Sequence, residues 1–302
     1  MDIFRTEGSF LRYINDCYEI FVNMRGHGKN ILDVGAGFGL MPLLFEMFGA
    51  REVLGLEIDA EKIEIFDTLC DILHSQNTSI ERASAVAIPH LDSSFGVVSA
   101  IEVLSHVGDL NAFLLEVRRV LRPRGILYAI DTNNGLSIPL RKSRSGIWKR
   151  AEEGPPDIVY KVPFREIRRR VIQTHFSSLN NDTLNMLVKE TEGMWGDQII
   201  AGVEEFRRTG RIANKPRFHY RDPITGVFPE FPFNPYTLSK FIEDHGFEAS
   251  LRPLPPYVVK HPWLHKLGQV ALEYTPGQMT HLFYNAFPKF EILAKKRQDR
   301  GC

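Results

Sequence analysis

The sequence of 302 residues predicts an α/β protein in which a seven-stranded, mostly parallel sheet carries helices on both faces. Three observations predict this fold. Short apolar runs alternate with segments of helical periodicity up to Ile130, a glycine-rich turn follows the first run, and the alternation returns near the C-terminus after a helical insertion that follows the fifth strand. Strands that are separated by helices pair in parallel, in a sheet that is covered on both sides.

The elements before the insertion follow from local patterns. Apolar residues at helical spacing predict helices over 10–24, 40–48, 60–75 and 110–121, and short apolar runs predict strands over 31–34, 52–58, 80–87, 96–101 and 126–130. The segment Arg122-Pro123-Arg124-Gly125 ends the fourth helix, because proline and glycine interrupt helical backbone.

The pattern predicts three parts along the chain. Residues 1–131 are a sheet-forming core, residues 132–233 are a mostly helical insertion, and residues 234–302 complete the core with a helix over 235–245 and strands over 247–251 and 290–294.

Composition excludes several classes of protein. The 37 basic and 37 acidic residues balance to a net charge of zero, which argues against a generic nucleic-acid binder. The three cysteines are Cys17, Cys70 and Cys302, too few and too scattered for a disulfide framework or a cysteine-rich zinc site. We therefore expect no bound metal. The first residues show no secretory signal, and no stretch is long enough to span a bilayer, so we expect a cytoplasmic protein.

The charge is nevertheless uneven. Residues 141–170 hold ten basic and four acidic side chains. Such a run is commonly a solvated face, but it can also face an anionic substrate or a lipid headgroup.

The glycine-rich turn is the feature that points to a ligand. The strand 31–34 contains Asp33 and leads into Gly35, Gly37 and Gly39, where the backbone can turn tightly and lie against a ligand. Glu57 ends the second strand, 22 residues after Gly35, and a carboxylate there can accept hydrogen bonds from ribose hydroxyls. These residues predict a nucleoside-type cofactor on a Rossmann-like sheet.

Four segments together resemble the class I S-adenosylmethionine-dependent methyltransferases. They are the G-x-G-x-G turn after Asp33, the segment 83–89 with 92–98, the stretch Glu102-Val103-Leu104-Ser105-His106-Val107, and the helix 113–121 with its Arg122-Pro123-Arg124-Gly125 end. A dehydrogenase fingerprint would place its third glycine at position 40, where this chain has Leu40. In the family two glycines commonly follow the proline, and Arg124 stands in place of the first.

The resemblance implies S-adenosylmethionine as cofactor and assigns residues to it. Asp33 is expected to contact the amino group of the methionine moiety, Gly35 and Gly37 to let the cofactor lie on the turn, and Glu57 to hold the ribose. The remaining expected contacts lie around the adenine and at the end of the fourth strand: Ile58, Ser84, Ala85 and Ile101.

Two residues are candidates for catalysis. His106 follows the fourth strand, where a histidine can serve as general base toward a hydroxyl nucleophile, or can simply pack or cap. Asp131 ends the fifth strand and is either a second polar group at the pocket or a turn cap.

The resemblance places an acceptor-binding lid in the insertion. Its aromatic and basic residues suit a sizeable acceptor with apolar and anionic parts; they include Trp148, Phe164, Arg168, Trp195, Phe206, Arg217, Phe218, His219 and Tyr220. The segment Ala100-Ile101-Glu102-Val103 lacks the NPPY-type sequence of many amino-group methyltransferases, which favours O- or C-methylation of a small-molecule, sugar or lipid-linked acceptor. The alternatives are an RNA or protein methyltransferase, a peripheral membrane contact through residues 141–170, and a degenerate methyltransferase fold that only binds.

Overall fold

The computed structural model describes residues 6–156, 161–213, 215, 222–224, 232–255, 267–268, 270–272, 274 and 281–298. The chain divides into two compact units. One, here the core unit, comprises Met1–Ser137 with Pro232–Cys302, and the other, the insertion unit, is Ile138–Phe231.

The core unit is built on a seven-stranded sheet in the order β3-β2-β1-β4-β5-β7-β6. The strands are β1 Asn30–Val34, β2 Glu52–Glu57, β3 Thr78–Arg82, β4 Phe95–Ile101, β5 Leu121–Asp131, β6 Phe247–Leu254 and β7 Lys289–Lys296. β7 runs antiparallel to its two neighbours, β5 and β6, and the other neighbouring strands of this sheet pair in parallel. The predicted seven-stranded, mostly parallel sheet is confirmed.

In the described part of the core unit, six helices with defined bounds accompany this sheet. They are α1 Glu7–Asn23, α2 Leu40–Met47, α3 Ala60–Leu73, α4 Leu110–Val120, α9 Pro235–Asp244 and α10 His281–Ala286. A buried cluster joins helix and strand side chains, among them Phe21 of α1, Phe45 of α2, Ile31 of β1 and Val97 of β4. Burial of these side chains explains why the central strands read as continuous apolar runs.

Two strands differ from the sequence prediction. β3 covers Thr78–Arg82 rather than 80–87, because Ala87 N donates to Ser84 O (3.1 Å) and closes a turn there. β5 begins at Leu121 rather than at 126, with a register shift against β4 between Phe95 and Val97. Arg124, which lies between Leu121 and the predicted start of β5 at residue 126, has a φ of +62°. Its backbone is therefore in the left-handed region, which glycine adopts without strain.

The described residues of the insertion unit form four helices: α5 Ile138–Glu153, α6 Phe164–His175, α7 Asn181–Glu190 and α8 Asp197–Thr209. The helices α6, α7 and α8 share a small core that includes Ile172, Leu187, Ile199 and Val203. Each of these three helices contributes an apolar stripe at helical spacing, as the sequence indicates.

Several residues that were expected to face an acceptor belong to the interior of the insertion unit instead. Phe164 is buried, and Arg168 has no exposed surface and pairs through both terminal nitrogens with Glu152. Phe206 packs against the unit's core, and Trp195 is half-buried. The expectation for Phe164 and Arg168 is therefore wrong, because both side chains are enclosed within the unit. Arg168 is paired with Glu152 there because a buried guanidinium needs a partner inside the protein. The side chain of Trp148 and the residues 217–220 lie outside the described part of the chain.

None of the helices in the described ranges is long and apolar enough to cross a bilayer.

Candidate cofactor and acceptor site

The predicted site residues meet at one edge of the sheet. β1, β2, β4 and β5 are parallel, so their carboxyl ends place Val34, Glu57, Ile101 and Asp131 along the same edge. β1 lies between β2 and β4, and the strand order therefore reverses beside it. Ligands of open α/β sheets bind in the crevice at such a point.

The glycine turn that follows β1 is shaped for close packing on one side and open on the other. Gly35 N and Ala36 N donate to Leu56 O at 2.8 Å and 3.0 Å. A Cβ on Gly35 would lie 2.5 Å from Val103 Cγ2, whereas a Cβ on Gly37 would have no heavy atom within 4 Å. The backbone of Gly37, with φ +59°, thus borders open space where a ligand can lie against it.

Glu57 anchors the turn to β2. Its Oε2 accepts from Gly37 N (2.9 Å), and its Oε1 accepts from Ile58 N (2.8 Å) and Asp59 N (3.1 Å). Only 6% of the residue is exposed. Lys62 Nζ lies 3.7 Å from Oε2, beyond hydrogen-bond distance. Since a carboxylate offers about four acceptor positions, Oε2 can take one further donor such as a hydroxyl.

Asp33 lies beneath the turn, in the interior. Its carboxyl is 3% exposed and accepts a hydrogen bond from Ser99 Oγ of the neighbouring strand. Burial raises the pKa of Asp33 to about 7, although the hydrogen bond from Ser99 opposes the shift. A carboxyl that titrates near neutrality gains strongly from a cation placed beside it.

The loop after β3 lies beside the carboxyl end of β2. Ser84 and Ala87 close the tight turn described above, and Ala83 N donates to Glu57 O (3.2 Å). Ile58 is 68% exposed although it is a large apolar residue next to a buried carboxylate. An exposed aliphatic face at this position suits a flat aromatic ring.

The carboxyl ends of β4 and β5 are tied together by acidic side chains. Asp131 is completely buried, and its carboxylate accepts from Ser105 N, Asn133 N and Asn133 Nδ2, each at 2.9 Å. Burial raises its pKa. Three donors on one enclosed carboxylate suit a residue that fixes two loops.

Glu102, which the sequence analysis did not single out, makes a second connection. Its Oε2 accepts from Thr132 N (2.9 Å), its Oε1 accepts from Thr132 Oγ1, and Lys289 Nζ lies 3.1 Å from Oε1. Its φ is +57°, a strained value for a side-chain-bearing residue. The sequence signal for it was an acidic residue directly after a buried strand.

His106 ends a short 3₁₀ helix, Leu104–His106, and is exposed. Ile101, the last residue of β4, is half-buried. In the part of the chain that is described, no three or more His, Cys, Asp or Glu side chains cluster to hold a metal ion.

The strands that form this edge lie in a part of the chain that is similar to known proteins. Residues 32–129 match the family model described as "Methyltransferase domain". Within the core unit, residues 32–129 therefore match a methyltransferase domain. The domain's cofactor in this family is S-adenosylmethionine, and the predictions of family and cofactor are confirmed.

Curated relatives match the same part of the chain. An O-methyltransferase from Aspergillus sclerotiorum is 31% identical over 34% of this chain and 40% of its own length. A ubiquinone biosynthesis O-methyltransferase from Sinorhizobium fredii is 29% identical over 36% of this chain and 43% of its own length. The chain thus matches less than half the length of these relatives.

A solved methyltransferase extends the likeness in fold to most of the chain. A SAM-dependent methyltransferase from Methanosarcina mazei aligns with 93% of this chain and 99% of its own, at 17% identity and a TM-score of 0.51. At that identity the likeness concerns the fold alone.

The residues of the methyltransferase domain fit this cofactor on structural grounds. The open side of Gly37 leaves room for the cofactor, the remaining acceptor position of Glu57 suits a ribose hydroxyl, and Asp33 is a buried carboxyl that a cationic amino group would stabilise.

Proposed function

We propose that the chain is an S-adenosylmethionine-dependent methyltransferase that acts on a small-molecule, sugar or lipid-linked acceptor, with O-methylation favoured over C-methylation. The observation that carries the proposal is the sheet edge where Gly37 borders open space between a buried Asp33 and an anchored Glu57. The names of the relatives, which describe O-methyltransferases, support oxygen as the methylated atom.

We assign the cofactor contacts as follows. Asp33 pairs with the amino group, Gly35 and Gly37 border the methionine moiety, and Glu57 accepts from the ribose. Ile58 packs on the adenine, Ser84 and Ala85 read its edge, and Ile101 closes the pocket at the end of β4. These roles agree with the exposure of Ile58 and the burial of Asp33.

Methyl transfer requires the protein mainly to align the methyl group with the acceptor atom. When bound, S-adenosylmethionine supplies a methyl group on a positively charged sulfur, and an in-line acceptor oxygen takes this methyl group. The acceptor hydroxyl must lose its proton in the process. His106 is the group we assign as general base, because it is exposed at the carboxyl end of β4 and histidine exchanges protons near neutral pH.

Asp131 supports His106 indirectly in this proposal. Its carboxylate accepts a hydrogen bond from Ser105 N and thereby fixes the residue immediately before His106. We therefore assign Asp131 a positioning role at the acceptor side rather than contact with the acceptor.

The experiment measures formation of S-adenosylhomocysteine from S-adenosylmethionine with a panel of acceptors that present a phenol, a sugar hydroxyl, an activated carbon or an amine. We expect turnover with a hydroxyl acceptor and its loss in Gly37→Val, whose side chain would occupy the open face of the turn. Turnover with the amine alone would overturn the preference for oxygen. Cofactor binding without turnover on any acceptor would favour the binding-module alternative.

The exposed cations of α5 support an acceptor or surface that carries negative charge. Arg141, Lys142 and Lys149 are exposed, and so are the apolar residues Ile138 and Ile147 of the same helix. A helix that offers both cations and apolar groups suits the headgroup region of an anionic bilayer.

Liposome flotation tests this membrane contact. Recovery with vesicles that contain anionic lipid should exceed recovery with neutral vesicles, and the double variant Arg141→Glu, Lys142→Glu should abolish the difference. Lys240→Glu, a charge reversal on α9, is the control and should retain it. Equal recovery with both kinds of vesicle would refute the contact.

A further inference from the structure

The loop between β3 and β4 is held by two side chains of α4 that have no assigned part in cofactor binding. Arg119 Nη1 donates to His90 O (2.6 Å) and Asp92 Oδ1 (2.9 Å), and its Nη2 donates to Ile88 O (2.8 Å). These acceptors lie within residues 84–92, here called the adenine-side loop. One guanidinium thus binds the loop at three residues.

Glu116, one turn before Arg119 on α4, completes the contact. Its Oε2 accepts from Ile88 N at 2.7 Å, and Arg119 donates to both carboxylate oxygens, with Nε to Oε1 and Nη2 to Oε2 each at 2.9 Å. The guanidinium lowers the pKa of the Glu116 carboxyl, so both groups are charged at neutral pH. Together they fix the amide and the carbonyl of Ile88, which is buried.

The Ser84–Ala87 turn lies between two fixed points. On one side Ala83 N donates to Glu57 O, which connects the turn to the residue assigned to the ribose. On the other side Ile88 is held by Glu116 and Arg119. Among the described residues, the contacts within the turn are the Ala87 N to Ser84 O bond and a long contact from Val86 N to Ser84 Oγ (3.4 Å). Its conformation therefore depends on its two ends.

The turn carries groups that can distinguish one purine from another. Ser84 Oγ can accept a hydrogen bond from the exocyclic amino group of adenine, and a backbone amide can donate to adenine N1. In hypoxanthine the amino group is replaced by a carbonyl oxygen, to which the Ser84 hydroxyl can donate instead, but N1 carries a hydrogen that opposes the donating backbone amide. The amide contact therefore discriminates between the two bases, and it does so only if the turn is held in one conformation.

We propose that Arg119 and Glu116 are positioning residues that hold the Ser84–Ala87 turn in the conformation that reads adenine, and that they thereby set the preference of the site for adenine over hypoxanthine. This inference rests on the proposed function, because it takes the turn as the adenine wall of the cofactor site. In this inference the two residues of α4 act on the cofactor site through the turn, without direct contact with the cofactor or the acceptor.

The test compares two ligands, S-adenosylhomocysteine and its deaminated analogue S-inosylhomocysteine, by calorimetric titration of the full chain. The variants are Arg119→Lys, which keeps a positive charge but cannot reach several acceptors at once, and Glu116→Gln. If the competent turn falls to a tenth of the population, the Kd for S-adenosylhomocysteine rises about tenfold. The Kd for S-inosylhomocysteine should stay unchanged, so that the preference falls by the same factor.

Glu46 provides a matched control. It fixes the loop at the other end of β3, where it accepts from Gln76 N (3.1 Å), Asn77 N (3.0 Å) and the hydroxyls of Ser75 and Thr78. Glu46→Gln therefore removes a comparable loop contact away from the carboxyl edge. We expect both Glu46→Gln and Arg119→Lys to lower the melting temperature, and we expect Glu46→Gln to keep the preference for adenine of the unaltered chain.

The outcomes separate the two proposals. If the unaltered chain binds neither ligand, the proposed function fails. If it prefers S-adenosylhomocysteine and both α4 variants keep that preference, the proposed function stands and the positioning role is refuted. Equal weakening of both ligands in the folded variants, or the same loss of preference in Glu46→Gln, would also refute the positioning role, because either result indicates general destabilisation.

Discussion

The raised pKa of Asp33 predicts that cofactor affinity depends on pH. The buried carboxyl has a pKa of about 7 in the unliganded protein. About a tenth of these groups are then ionised at pH 6 and about nine tenths at pH 8. A cationic amino group binds the ionised form, so the affinity should rise with pH in proportion to that fraction, by about tenfold over this interval.

The assay is a titration with S-adenosylhomocysteine at half-unit steps between these two pH values. Asp33→Asn removes the titrating group and should give weak binding that no longer changes with pH. Ser99→Ala removes the hydrogen bond that lowers the pKa of Asp33, so it should move the midpoint to higher pH. A flat profile in the unaltered chain, or the same profile in Asp33→Asn, would refute the pairing of Asp33 with the amino group.

The same carboxyl makes the unliganded protein less stable as pH rises. The folded state keeps the proton up to a pKa of about 7, whereas the unfolded chain releases it near the ordinary value of 3.8. Between these values the unfolded state binds fewer protons, so the free energy of unfolding falls with increasing pH. Urea unfolding should show this slope in the unaltered chain and a smaller one in Asp33→Asn.

Three further predictions concern single residues. Glu57→Gln should weaken S-adenosylhomocysteine binding by at least about tenfold, since a hydrogen bond to a charged acceptor contributes about 1.5–3 kcal/mol; normal affinity in titration would show that the ribose lies elsewhere. His106→Ala should lower kcat by roughly a hundredfold while leaving cofactor affinity unchanged, as expected for loss of a general base. Unaltered turnover in this variant would show that His106 is not the general base. Arg124→Gly should raise the free energy of unfolding by about 1 kcal/mol, because it relieves a left-handed backbone; lower stability in urea would contradict that explanation.

The sequence predicted the sheet because its signal is local. The apolar runs of β1, β4 and β5 and the helical spacing in α4 each reflect burial within a few neighbouring residues. The boundary of β3 was wrong because the turn at Ser84–Ala87 depends on hydrogen bonds between backbone groups, to which apolar periodicity is insensitive. The start of β5 was missed because Arg124 adopts a backbone that the residue type does not favour.

The site was predictable where residue types and strand ends coincide. Asp33, the glycine turn and Glu57 lie at the expected edge of the sheet, yet the sequence could not show that Glu57 already accepts three backbone hydrogen bonds. Glu102 and Arg119 were missed for a related reason. Their roles arise from partners far along the chain, Lys289 in one case and the adenine-side loop in the other.

Binding of S-adenosylmethionine at the carboxyl edge of this sheet underlies every role assigned above. Calorimetric titration of the purified chain with S-adenosylmethionine, S-adenosylhomocysteine and NADH tests this binding. We expect saturable binding of both sulfur nucleosides and no binding of NADH. Binding of NADH alone, or of none of the three, would contradict it.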